Sequence, residues 1–265
     1  MSFTFVSDQF EELATFSNDE TLQLGEFASL AYLDRDANLG DGSYTTLSPF
    51  ATDLSSGFVR ARGAQVVVTY KGTDTARDFQ TDFDAWPLAR PELLPERRIH
   101  GGFLKAWEST WPQVAAILES HAHATAFKCR TSPSPLGAAQ ATLAALHVAR
   151  HLVRSVDQVR LLTFGSPRVF TWAGAAYFER IGLGARTLRV AENDADPVTM
   201  VNLGSFGFKH VGLNVRVVKP AAAWPHLMEG YMAGLMALNV STFVPTFALG
   251  TRRAVIRACL RLLHL

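Results

Sequence analysis

The stretch Thr131-Ser132-Pro133-Ser134-Pro135-Leu136-Gly137 leads into Ala138-Ala139-Gln140-Ala141-Thr142-Leu143-Ala144-Ala145. In a G-x-S-x-G nucleophile elbow, a helix opened by small and aliphatic residues comes directly after the serine. The chemistry of such a turn is acyl transfer through a serine hydroxyl. Counting two residues back from Gly137 gives Pro135, and the first glycine position falls on Pro133. Proline has no hydroxyl, and its ring locks φ in the negative, right-handed range. The nucleophile of an elbow sits in a strained turn at positive φ. Serines stand close by, at Ser132 and Ser134.

Positioning such a turn takes a strand before it and a helix after it. Phe58–Arg62 and Gln65–Tyr70 read as strands joined by a turn at Gly63, and Val66-Val67-Val68 suits a buried strand. Residues 20–34, Phe103–Ser120, Leu136–Ser155 and Ala173–Ile181 have helical patterns, and Val159–Phe164 and Thr187–Ala191 read as strands. Gly72–Asp84 reads as a loop with a short helix. Strands alternating with helices predict an α/β fold, a mostly parallel central sheet with helices on both faces. The chain reads as one domain over residues 1–265. The segment Phe127–Ser132 fits this pattern poorly. Lys128 and Arg130 interrupt it, whereas a central parallel strand is almost wholly apolar. An edge position or an unstructured segment is the expectation there.

The chain has 265 residues, 48% of them hydrophobic and 18% charged, with net charge +1. That near-neutral balance gives no electrostatic ground for a nucleic-acid partner. Cys129 and Cys259 are too few for a metal cluster or a disulfide framework. The first residues, Met1 to Asp8, have neither a basic nor an apolar targeting region, so the expected location is cytoplasmic. No charged residue stands between Glu229 and Arg252, a length that spans a bilayer. Asn239, Ser241, Thr242, Pro245 and Thr246 argue instead for a core helix, a turn and a last helix. That last helix, residues 252–265, is basic and amphipathic. It suits either packing on the domain or contact with a membrane surface.

Four further segments occur in order: Val67-Val68-Thr69-Tyr70-Lys71-Gly72-Thr73, Arg98-Ile99-His100-Gly101-Gly102-Phe103, Leu161-Leu162-Thr163-Phe164-Gly165-Ser166-Pro167-Arg168-Val169 and Arg189-Val190-Ala191-Glu192-Asn193-Asp194-Ala195-Asp196-Pro197-Val198. With the elbow segment, they resemble the class 3 lipases, a fungal-type group of α/β-hydrolases, over roughly Gly25 to Leu238. The resemblance implies hydrolysis of carboxylic esters of glycerol lipids through an acyl-enzyme. It implies no cofactor and no metal, with an acylglycerol or other lipid ester as the partner.

The resemblance assigns the catalytic acid to Asp196, which orients an imidazole and stabilises its protonated form. It assigns the base to His226, in Pro225-His226-Leu227-Met228. Asp194 reads as solvated, and His210 and His100 as structural. His121, His123, His151 and His264 read as surface residues. The oxyanion hole falls to the backbone N–H groups of Thr73 and Leu136. Asp74–Phe83 corresponds to a lid helix and offers a membrane-facing surface, with Phe79 and Phe83 on it; a fixed surface helix is the alternative. Lys71 replaces the family's usual arginine.

The nucleophile admits three readings. Ser134, or Ser132, serves in a rearranged elbow, although one residue of shift exceeds the ~0.5 Å that catalysis tolerates. Alternatively the chain is a catalytically inactive homologue, a lipid-binding or interaction protein. Or residues 121–135 reflect a local shift of reading frame over an ordinary G-x-S-x-G, which an intact coding frame would refute.

Overall fold

Gly63 and Ala64 alone connect two strands, because Arg62 pairs directly with Gln65. A two-residue hairpin needs positive φ, and Gly63 supplies it at 53°. The computed structural model describes residues 45–71, 86–95, 98–121, 124, 126–131, 135–192 and 207–217. The expected helix at 20–34, the loop helix after Gly72 and everything beyond residue 217 lie outside the described residues.

Strands β1 (Thr45–Ala51), β2 (Ser56–Arg62) and β3 (Gln65–Lys71) form an antiparallel meander. From β3 onward the sheet is parallel, through β6 (Ala126–Thr131), β7 (Val159–Phe164), β9 (Thr187–Glu192) and β11 (Leu213–Val217). The strand order is β1-β2-β3-β6-β7-β9-β11. Every residue from Val66 to Lys71 is buried. Successive side chains point to opposite faces, so both faces of the sheet are covered at β3. This is the predicted α/β architecture, with an antiparallel margin that the pattern does not reveal. Strand β1, with Pro49 inside it, has no sequence signature of its own.

A smaller antiparallel sheet joins β4 (Pro87–Ala89), β5 (Arg98–His100), β8 (Phe170–Thr171) and β10 (Phe208–Lys209) in the order β10-β8-β5-β4. Its strands are two or three residues long, too short for any periodicity to show.

The segment expected at an edge is central instead. β6 lies between β3 and β7 and is in register with both. Its alternation explains this: Phe127 and Cys129, two residues apart, are 3% and 1% exposed. Apolar residues at this spacing seat one face in the core, and the backbone is paired on both sides. Two interleaved charges are not enough to move it outward.

Three helices span Gly101–Glu119 (α1), Pro135–His151 (α2) and Trp172–Arg180 (α3). Helix α2 ends four residues before the predicted Ser155. Ser155 caps a separate 3₁₀ turn, Val156–Gln158, by a reciprocal capping box with Gln158. α2 is buried continuously from Pro135 to Leu146. Its small residues, Gly137, Ala138, Ala139, Ala141, Ala144 and Ala145, let it lie close on β3, β6 and β7 with α1 beside it.

Candidate active site

Because β3, β6, β7, β9 and β11 are parallel, their C-terminal residues Lys71, Thr131, Phe164, Glu192 and Val217 share one edge of the sheet. Ligands of open α/β sheets bind outside such an edge. The residues expected to act come after these strand ends in the chain. Thr73 comes two residues after Lys71, Ser134 three after Thr131, and Asp196 four after Glu192. His226 comes nine after Val217. Thr73, Ser134, Asp196 and His226 themselves lie outside the described residues, as do the segment Asp74–Phe83 and the helix at 252–265.

Leu136 is the one expected site residue within the described part. It is 1% exposed and belongs to the first turn of α2. The first N–H groups of a helix have no acceptor inside it. They also carry the positive end of the helix dipole. The backbone N–H of Leu136 is therefore a donor of the kind an oxyanion needs, at the edge where β6 ends.

Pro135 is the first residue of α2. At that position a missing N–H has no cost, and the φ that the ring imposes is already helical. The residue that breaks the elbow motif thus starts the helix behind it. Three residues, Ser132-Pro133-Ser134, separate β6 from α2.

Other described residues stand near this edge, after β7 and at the end of β5. After β7, Gly165 turns at φ 60° and its N–H donates to the Val190 carbonyl at 3.0 Å. Ser166 is buried, its hydroxyl 3.3 Å from the Pro167 carbonyl oxygen. His100 is 3% exposed, its backbone N–H bonded to the Val169 carbonyl at 2.9 Å. Its ring lies 4.2 Å from that of Phe103 and 5.5 Å from that of Phe208. Lys71 closes β3 and is buried.

Helix α2 is held by a polar contact that the pattern of its residues conceals. Gln140 is fully buried. Its Oε1 accepts from the Ser55 hydroxyl at 2.6 Å, and its Nε2 donates to the Ala106 carbonyl at 2.8 Å. One side chain thereby ties α2 to α1 and to the β1–β2 turn. Only contacts with residues distant in the sequence identify Gln140, and the sequence offers no signal for it.

His147 has no motif around it either. It lines a recess of about 170 Å³ with Arg90, Leu93, Trp107 and Trp111. Burial, then the neighbouring His151 and Arg150, hold its pKa down to about 4. It lies twelve residues along α2 from Pro135, roughly 18 Å by helical rise, so it is remote from the strand edge. Among the described residues no group of three or more His, Cys, Asp or Glu side chains is arranged to hold a metal. No described helix is long and apolar enough to cross a membrane, and the 230–251 segment lies outside that statement.

Comparison with known proteins agrees with this architecture. Residues 67–205 match the family model "Lipase (class 3)". A secreted mono- and diacylglycerol lipase of Fusarium solani is 31% identical over 150 residues, which is 55% of this chain and 42% of that protein. The chain thus spans less than half the length of that curated relative. Lipase II from Rhizopus niveus superposes with a TM-score of 0.66 at 23% identity, covering 75% of this chain and 80% of that one. The lipase of Rhizopus microsporus var. chinensis gives 0.61 at 22% identity, covering 80% and 76%. These structural likenesses establish the α/β-hydrolase fold, and the family match, extending over more than half of the sequence, shows that the chain belongs to the class 3 lipases.

Proposed function

We propose that the chain hydrolyses carboxylic esters of glycerol lipids, with Ser134 as nucleophile, His226 as base and Asp196 as the acid that orients it. The observation that carries this reading is the start of α2 at Pro135. It leaves Ser134 as the last residue between a central parallel strand and the next helix. That is one position before the family's own serine, so this reading requires an elbow rebuilt around Ser134, next to the positive end of the helix dipole.

In this reading His226 takes the Ser134 proton as Oγ attacks the acyl carbon. The residue after Ser134 is Pro135, which has no N–H, so in this reading the oxyanion is held by the N–H groups of Thr73 and of Leu136, one position further along, each contributing on the order of 3 kcal/mol. His226 returns the proton to the departing glycerol oxygen, and water then releases the fatty acid by the same steps. Family membership supports the ester substrate class, and the relative's name gives mono- and diacylglycerols as the first substrates to try.

The same helix start also favours a second reading. Pro135 occupies the family's own serine position, which suits an inactive homologue that retains an acyl-lipid pocket. Labelling with a fluorophosphonate, with peptide mass mapping of the product, separates the two. An adduct on Ser134 that disappears in Ser134→Ala supports catalysis. Absence of any adduct, with no turnover of a nitrophenyl butyrate, overturns it in favour of the binding protein.

A further inference from the structure

Two arginines from different helices converge on one tyrosine ring, far from the strand ends that carry the candidate site. Tyr177, on α3, is half-buried and packs against the hydrophobic core. The guanidinium carbon of Arg180 lies 5.2 Å from the centroid of its ring, and that of Arg150 lies 5.7 Å from it. The two guanidinium groups are therefore no further apart than the sum of these distances. Arg150 belongs to the last turn of α2 and Arg180 to the last turn of α3. Helix α2 leads into the start of β7, and α3 into the start of β9. Their last turns thus lie toward the N-terminal edge of the parallel strands, opposite the candidate site.

A helix dipole favours one cation at each of these ends. It does not account for two cations on a single ring. Among the described residues neither guanidinium is ion-paired with a carboxylate. The nearby acids are engaged elsewhere. The Glu92 carboxylate is 3.2 Å from Arg90, and Arg150 Nη1 donates at 2.5 Å to the Glu92 backbone carbonyl instead. Oε1 of Glu179 accepts from the N–H of Gly212 at 2.9 Å.

The ring face offsets a guanidinium charge only in part. One of the two groups is anchored by a carbonyl, and the other is on an exposed residue with a long side chain. Each retains N–H donors in the planar fork that matches phosphate oxygens. A dianion satisfies both cations at once, whereas a single negative charge leaves one of them uncompensated. We propose that Arg150 and Arg180, with Tyr177 between them, bind the phosphate dianion of a small soluble phosphomonoester. Bound phosphate would join the ends of α2 and α3 and so stabilise the folded chain. The site is separate from the ester chemistry and does not depend on turnover.

The test is calorimetric titration of the full chain with inorganic phosphate and with glycerol 3-phosphate, against sodium chloride of equal ionic strength. A Kd on the order of 1 mM is expected for both phosphates. Arg150→Gln and Arg180→Gln should each weaken binding about tenfold, and Arg180→Lys, which keeps the charge but loses the fork, about threefold. Lys209→Gln removes a charge beside Trp172, at the other end of α3, and should leave the affinity unchanged. The thermal transition of each variant without phosphate verifies that it is folded, and Arg180→Lys decides the matter if a glutamine variant is not. Phosphate should also raise the Tm of the unsubstituted chain and not that of Arg180→Gln. Binding no stronger than that of chloride overturns the proposal. So does equal weakening in Lys209→Gln and Arg180→Gln, which would show an effect of net charge alone. Binding to phosphatidic acid vesicles with none to either soluble phosphate overturns it as well, in favour of a lipid headgroup.

Discussion

Replacing Gln140 by methionine tests whether the contact between α2, α1 and the β1–β2 turn holds the helix in place. Methionine has nearly the same length and flexibility but cannot hydrogen-bond in this way. Two bonds are lost, at 2.6 Å from the Ser55 hydroxyl and at 2.8 Å to the Ala106 carbonyl. Their consequences differ. The Ala106 carbonyl still accepts from the Ser109 hydroxyl at 2.8 Å, so it is not abandoned. The Ser55 hydroxyl, in a residue only 6% exposed, is left without that acceptor. Two neutral bonds at about 1 kcal/mol each, with about 1 kcal/mol for the stranded hydroxyl, give a loss of about 2–3 kcal/mol. For a chain of this size that lowers Tm by roughly 5–10 °C. Ser55→Ala alone should cost about 1–2 kcal/mol, since it strands the Gln140 oxygen instead. The double variant removes both groups, so its loss should fall short of the sum by about 1 kcal/mol. Urea unfolding of the four proteins measures each contribution. Strict additivity would overturn this account. So would a Gln140→Met loss below about 0.5 kcal/mol, the least that one net hydrogen bond contributes.

Other outcomes are tied to particular residues. Gly212→Ala should lower Tm by more than about 5 °C in calorimetry, because φ there is +80° and a Cβ would sit 2.4 Å from the Thr187 methyl. Unfolded histidine titrates near 6.5, whereas His147 in the fold is held to about 4. The unfolded chain then binds more protons between these values, so His147 contributes a loss of stability as pH falls from about 6.5 to about 4. His147→Phe should flatten that part of the pH–stability curve, and a His147 ring resonance titrating near 6.5 by NMR would contradict it. Burial pushes the Cys129 thiol up to about 12. Iodoacetamide at mildly alkaline pH should leave it unmodified in the native protein and alkylate it in concentrated guanidinium, as mass spectrometry of the chymotryptic peptide that begins at Lys128 can show. Ser134→Ala should lower ester turnover by at least a thousandfold with Tm unchanged; retained turnover would move the nucleophile to another residue.

Much of the framework was legible because it is local. The apolar run Val66-Val67-Val68 and the Gly63 turn specify a hairpin, and the alternation of strands and helices specifies a parallel sheet. The order of short motifs around Gly72, His100, Gly165 and Asp196 was enough for the family. Features that depend on distant partners failed to show. The charges at Lys128 and Arg130 pointed to an edge, yet β6 is central, since pairing with β3 and β7 and the burial of Phe127 and Cys129 outweigh local polarity. The short strands of the second sheet exist only through their pairing, and Gln140 reads as an ordinary helix residue until α1 is set beside it. Pro135 is the clearest case. Its type alone determines that it has no hydroxyl and that its φ is confined to the helix-compatible range. Whether that breaks a turn or begins a helix depends on where the backbone bends, and packing of α2 against three strands decided that it begins the helix.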